Sequence, residues 1–325
     1  MSDPSPCFVG IDVSKESLEV FVRPLDQQSS LPNTPKEVAA LVSRLKPLAI
    51  SRVIIEATGG LETLLVSELA AAGLPVAVIN PRQARDFAKA TGQLAKTDRI
   101  DAGVLAHFGE AIKTELRPLP SGQALRFEAL LVRRRQLVDM VGAEKNRLSV
   151  PSLHKEIRRD ITLHIQWLEK RIARTDSELG EAVEASEAWR VKDDLLRSVK
   201  GVGEVTSRTL LALLPELGEV TNKQITSLAG LAPFVRQSGR WKGECHIGGG
   251  RASIRQVLYM ATLSAIRCNR VIRAFYQRLL ARGKKRKVAL VACMRKLLVI
   301  LNSIVKHQRP WSEQQDFAQN LAAHS

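Results

Sequence analysis

The sequence predicts an α/β domain followed by a largely helical remainder, and three observations carry that expectation. Residues 7–112 alternate short β-rich runs with helical ones. Residues 122–189 hold apolar side chains at intervals of three and four with charges between them, the pattern of a long amphipathic helix. Residues 195–310 are helical again around a glycine-rich irregular centre.

Taken in order, "CFVGIDV" is a first strand and "SLEVFVRP" a second, close enough for a hairpin. "RVIIEA" is a third strand, and "LETLLVSELAAAG" the helix after it. "LPVAVIN" is a fourth strand, and Pro81 then suits the first position of a helix. The unbroken apolar runs suit strands buried on both faces. Pro151 breaks the chain before a stripe formed by Leu153, Ile157, Ile161, Ile165, Leu168, Ile172, Thr175 and Leu179. That stripe is either the seam of a coiled coil between subunits or the inner face of a helix packed in its own domain. Its length favours self-association. "VKGVGEVTSRTLLALLPELG" reads as a turn and a helix capped by Gly218. "RASIRQVLYMATLSAIRCN" and "KRKVALVACMRKLLVILNSIV" read as helices, and the polar tail from Trp311 as loosely ordered. The expected divisions are 1–120, 121–190 and 191–325.

Charge narrows the function. The 325 residues carry 49 Lys and Arg against 33 Asp and Glu, a net charge of +16, which favours a polyanionic partner, nucleic acid first. The excess is clustered: fifteen basic residues between 240 and 300 face Glu244 alone, where a solvated helix face would interleave acids. Aromatic residues are only 4%, so phosphate contact is expected over base stacking. Cys7, Cys245, Cys268 and Cys293 are far apart, which argues against a zinc site or a disulfide framework and fits a reducing cytoplasm. No apolar run of membrane-spanning length and no signal peptide is expected.

Four acids stand where acids are costly. Asp12 lies within an apolar strand and Glu56 ends another. Asp98 and Asp101 begin the stripe that Leu105 and Phe108 continue in "GQLAKTDRIDAGVLAHFGEA". Taken singly, each has an ordinary reading: a bulge for the strand acid, a cap or a pair with Lys96 or Arg99 for Asp98. Together they suit convergence on a hard divalent cation, Mg²⁺ or Mn²⁺, of the kind that drives phosphodiester chemistry. Gly201 and Gly203 precede a helix, where backbone N–H groups hold phosphate or simply start the helix. "RQSGRWKG" sets Ser238 in a turn beside Arg236, Arg240 and Lys242, with Arg251 further on. The residues alone favour an ordinary turn serine.

These motifs resemble those of the DEDD transposases of insertion elements, the family that includes Piv-type DNA invertases. "GIDVSKESLEV", "VIIEATGG" and "KTDRIDAGVLA" are similar to the family's three acidic motifs. The likeness runs on through "LRSVKGVGEVTSRTLLALLPELG", "LAGLAPFVRQSGRWKG", "GGGRASIRQVLYMATLSAIRCN" and "GKKRKVALVACMRKLLVILN". The resemblance implies a RuvC-like, ribonuclease H fold for residues 1–120, with Asp12, Glu56, Asp98 and Asp101 as metal ligands. It implies a C-terminal transposase domain in which Ser238 attacks DNA, with a helix–hairpin–helix-like element at Gly201 and Gly203. It further implies donor and target duplex DNA, a homo-oligomer (dimer or tetramer), a cytoplasmic, nucleoid-associated protein and, as in some members, a structured guide RNA. "GECHIGGG" departs from the family by lacking a more basic residue between Gly243 and Ile247. A metal-dependent Holliday-junction nuclease, with Ser238 incidental, is the alternative. A sugar-kinase-like ATPase, suggested by "GIDVS", is disfavoured by the Asp-x-x-Asp helix and the basic C-terminal half.

Overall fold

The acid-bearing strand β1 (Cys7–Val13) is the centre of a five-stranded sheet, because residues on both of its sides are apolar or glycine. The protein is described by a computed structural model that covers residues 5–93, 95, 97–114, 121–234, 237–238, 241–242 and 245–312, with only the backbone of 237, 238, 241 and 242. Two compact units are present, Met1–Pro120 and Ser121–Ser325.

In the first unit β1 pairs antiparallel with β2 (Ser17–Arg23), which pairs antiparallel with β3 (Gln27–Pro32). Helix α1 (Pro35–Leu45) follows, its first turn closed by Thr34, whose side chain accepts from the Glu37 N–H. Strand β4 (Ile50–Glu56) lies parallel to β1. Helix α2 (Thr63–Ala71) then leads to β5 (Val76–Ile79), parallel to β4, which gives the order β3-β2-β1-β4-β5. Helices α3 (Pro81–Ala90) and α4 (Asp98–Ala111) complete the unit. Pro81 opens α3 as expected, behind an Asn80–Gln83 capping box.

Strand alternation divides the unit's core. Val9, Ile11 and Val13 join Leu18, Val20, Val38, Leu41 and Leu69 on one face. Ile54, Ala77 and Ile79 meet Leu105 and Phe108 of α4 on the other. Gly10 explains how close α4 comes: a Cβ there would lie 2.1 Å from the Ala102 carbonyl oxygen and 2.3 Å from the Ala106 nitrogen. Burial on both faces holds for β1 and β4, whereas Val78 of β5 is 43% exposed. Neither β3 nor α1 was expected. β3 is a mostly polar edge strand, "QQSSLP", that forms because β2 offers it a partner, with Leu31 its one apolar side chain packed on the core.

The second unit begins with α5 (Gly122–Leu148) and α6 (Lys155–Glu184), which form an antiparallel pair with Pro151 in the connection. Leu137 and Val141 of α5 pack on Ile161, Ile165 and Leu168 of α6, while Phe127 and Leu131 pack on Leu179 and Val183. Lys145–Glu169 and Arg134–Asp176 ion pairs follow the same register. The stripe expected to favour self-association is therefore used within the chain. Its second member, Ile157, is left 51% exposed, outside the packed face, while Leu153 before it packs on the cluster. Leu168→Asp is accordingly expected to destabilise this unit by roughly 3–5 kcal/mol, because it puts a charge at a fully buried position. Thermal unfolding followed by circular dichroism checks this. Unchanged melting with dissociation of an oligomer would restore the seam reading.

Beyond the pair come α7 (Glu187–Arg197), α8 (Glu204–Leu213) and α9 (Asn222–Leu228). Short strands β6 (Pro233–Phe234), β7 (Gln237–Ser238), β8 (Trp241–Lys242) and β9 (His246–Ile247) form two small ladders, β6 with β9 and β7 with β8. Helices α10 (Ala252–Cys268), α11 (Arg270–Ala281) and α12 (Arg286–His307) finish the described chain. The expected Gly218 cap is corrected: α8 stops at Leu213 because Pro215 cannot continue it. Gly218 lies beyond, at φ +91, in a turn whose N–H donates to the buried Asn302 side chain. The expectation that no apolar run reaches membrane-spanning length is also corrected. α12 is long and apolar enough, since Arg295 and Lys296 interrupt its sequence without ending its apolar character. Of its most apolar window 61% is buried, and Leu297, Leu298 and Leu301 stand in the middle of the unit's core. All four cysteines are free; burial pushes the Cys293 thiol up to about 12. The tail expected to be loose from Trp311 is tied down at its start, where the Trp311 N–H donates to the Ser198 hydroxyl at 2.8 Å and its ring packs on the core; from residue 313 on it lies outside the described residues.

Candidate active site

The direction of α4 accounts for its two acids. Its C-terminal end lies at the start of β4, where Gly109 meets Ile54 and the Arg52 guanidinium donates to the Ile112 carbonyl. Its N-terminal end therefore lies toward the C-terminal ends of β1 and β4, where Asp12 and Glu56 stand. In an open α/β sheet that end of the parallel strands is the usual place for a ligand.

On β1, Asp12 follows Gly10 by two residues and so faces the α4 side. The pairs Gly10↔Ile54 and Ile11↔Ile55 run toward Asp12 and Glu56, the next residues on two neighbouring parallel strands. Glu56 ends β4 because the chain turns at Gly59 and Gly60, both at positive φ. The Glu62 carboxylate holds that turn by accepting from the N–H groups of Thr58 and Gly60, at 3.1 and 2.9 Å. Asp98 is the first residue of α4, directly after Thr97, whose side chain accepts from the Ile100 N–H. Asp98 is exposed and Asp101 half-buried. Acids in a first helical turn also gain from the helix dipole, an ordinary stabilisation worth under about 1 kcal/mol.

Glu56 and Asp101 line one open cavity of about 350 Å³ together with Val104 of α4 and with Pro81, Arg82, Ala84, Arg85 and Ala88 of α3. The sequence reading missed two neighbours of the acids. Glu19 of β2 is paired directly across from Asp12. Arg85 stands in the cavity wall. Strand alternation in "SLEVFV" was the signal for Glu19; nothing local in the sequence marked Arg85. The donor chemistry, carboxylate oxygens alone, fits a hard divalent cation. Among the described residues, no three His, Cys, Asp or Glu side chains form a set that could hold one ion.

In the second unit, Ser238 pairs with Trp241 across the β7–β8 ladder, and Gln237 with Lys242. Arg236 and Arg240 lie outside the described residues. Arg251 precedes α10, and its guanidinium grips Glu216 through two bonds of 2.6 and 2.7 Å, so its fork is already occupied. Gly203 begins α8, and Gly201 sits at φ +102 with its Cα against Ala265 of α10. Close packing thus explains Gly201 without any ligand. Glu204 follows in the first turn of α8 and pairs with Arg197 and Arg208, at 3.3 and 3.1 Å.

Two family profiles match this chain. A DEDD transposase profile of the IS110 type covers residues 9–150, and one for transposases of the IS116/IS110/IS902 family covers residues 193–277. The chain belongs to this family of transposases, site-specific DNA recombinases of insertion elements. Among its relatives are the pilin gene-inverting proteins of Moraxella lacunata and Moraxella bovis. They are 25% and 26% identical to it over 319 and 322 residues, 95% of this chain and 98% of each relative. An insertion element IS110 protein of 43.6 kDa from Streptomyces coelicolor is 29% identical over 117 residues, 34% of this chain and 28% of that protein.

Proposed function

We propose that this transposase cuts and exchanges DNA strands with an N-terminal acidic site and a C-terminal serine. The observation that carries the reading is the course of α4, antiparallel to β1 and β4, which brings Asp98 and Asp101 toward the strand ends that hold Asp12 and Glu56. The first unit is read as RuvC-like, supported by a β3-β2-β1 antiparallel wing joined to parallel β4 and β5, with acids at the strand ends. Asp12, Glu56, Asp98 and Asp101 would hold Mg²⁺ or Mn²⁺, which when bound supplies charge neutralisation at the phosphate and at the departing 3′ oxygen.

Ser238 is read as the nucleophile. Its oxygen forms a bond to phosphorus as the bond from phosphorus to the 3′ oxygen breaks; its proton is released, and the 3′ oxygen takes one up. A serine hydroxyl is weak at neutral pH and needs help. Arg236, Arg240 and Lys242 supply positive charge beside it in sequence. The turn at Gly201 and Gly203 is read as a second contact with the DNA backbone, through N–H groups and not side chains. The C-terminal division, 191–325, is the transposase part, and the helical pair within 121–190 is a spacer with coiled-coil-like packing. Donor and target duplexes have to be held at once, which suits a dimer or tetramer. A structured RNA that selects them suits the basic surplus, as does a nucleoid-associated place in the cytoplasm.

The test is adduct trapping. Wild-type protein incubated with DNA carrying the ends of its element and Mg²⁺, then denatured, is expected to retain a covalent protein–DNA species sensitive to protease. Cleavage of branched DNA with no such species would favour the Holliday-junction nuclease.

A further inference from the structure

The carboxylate cavity of the first unit has a cationic wall, and we infer that Arg85 binds a phosphodiester of the strand being cut. This rests on the reading of Glu56 and Asp101 as part of the cutting site. Three observations carry it. Pro81, Ala84, Arg85 and Ala88 are spaced by three and four, so one face of α3 forms the wall opposite the acids. Ala84 and Ala88 are buried and small, and of the two arginines that α3 brings to the lining Arg82 is exposed and turned to Asp86, which leaves Arg85 as the half-buried cation there. Arg85 is half-buried yet has no ion-pair partner among the described residues, while the neighbouring Arg82 reaches Asp86 at 3.7 Å in solvent.

A partly desolvated guanidinium without a counter-ion is costly and is stabilised when an anion arrives. A phosphodiester entering a cavity lined by Glu56 and Asp101 gains from a positive charge held close by. Arg85 provides it as a planar fork that suits two phosphate oxygens at once. The helix that carries it is firmly anchored. The Asn80–Gln83 capping box and Pro81 fix its first turn directly after β5, so the wall does not depend on the ligand to form. Such a contact carries no sequence information and holds the strand in register over the acids.

The experiment measures binding of the full chain to a fluorescent duplex carrying the element's end, with Ca²⁺ present, at salt concentrations from about 50 to about 200 mM. Loss of one phosphate contact is expected to lower the slope of log affinity against log salt by about 0.9, and affinity near physiological salt about fivefold, in Arg85→Ala. Arg85→Lys keeps most of the slope, because the charge remains, and Arg85→Gln loses it. If Arg85→Ala fails to fold, the Lys and Gln variants carry the comparison. Wild-type slope and affinity in Arg85→Ala, or in Arg85→Gln, would overturn the inference and make Arg85 an internal counter-charge only. Glu56→Gln is run alongside for recombination. Full activity there, together with a reduced salt slope in Arg85→Ala, would remove the metal reading and leave this one standing. An inactive Glu56→Gln with an unaffected Arg85→Ala would do the reverse.

Discussion

Asp12→Ala and Asp98→Ala are each expected to abolish recombination while leaving DNA binding and melting temperature near wild type. A bound divalent cation contributes several kcal/mol to a phosphodiester transition state, and about 1.4 kcal/mol is tenfold in rate, so the loss should be roughly 10³-fold or more. The two positions differ in their structural cost, which makes them a useful pair. Asp98 is exposed in the first turn of α4, and the Thr97 cap remains without it, so its removal should leave the helix intact. Asp12 is half-buried in the central strand, so its melting curve is the stricter control for an intact sheet. Full recombination in either variant, measured as joined donor and target DNA, would defeat the metal reading.

Ser238→Ala is expected to bind DNA with unchanged affinity and form no covalent adduct. The hydroxyl is the only group the substitution removes, and a two-residue ladder such as Gln237–Ser238 tolerates alanine. Binding depends on the positive charges around it, which the substitution leaves in place. Loss of the adduct together with loss of binding would point to a folding defect, which a melting curve would reveal. A Ser238→Ala protein that recombines normally would reduce this residue to a turn serine.

Much of the first unit is legible in the chain because its signals are local. β1, β2, β4, β5, α2, α3 and α4 all follow from apolar runs, a capping asparagine with Pro81, or the Thr97 cap. β3 escaped because a mostly polar edge strand is made by its neighbour, whereas α1 was legible and overlooked: Val38, Leu41, Val42 and Leu45 stand at helical spacing behind the Thr34 cap and Pro35. The stripe from Leu153 to Leu179 was legible as a stripe but not in its use. Periodicity reports that a face must be buried; it does not say whether the partner is another copy or, as here, α5 of the same chain.

The sequence by itself determined the basic balance, the acids at improbable positions, the family motifs and the order of most elements, because each depends on residue type and spacing along the chain. Only the tertiary structure decided which groups meet. The glycine at position 10 lets the backbone of α4 rest on β1, and the direction of α4 then turns Asp98 and Asp101 toward the strand ends. It also set Glu19 across from Asp12 and Arg85 in the cavity with Glu56, and it closed Arg251 onto Glu216. Contacts between residues tens of positions apart arise from packing, where the cost of burying one side chain depends on what every neighbouring element presents to it.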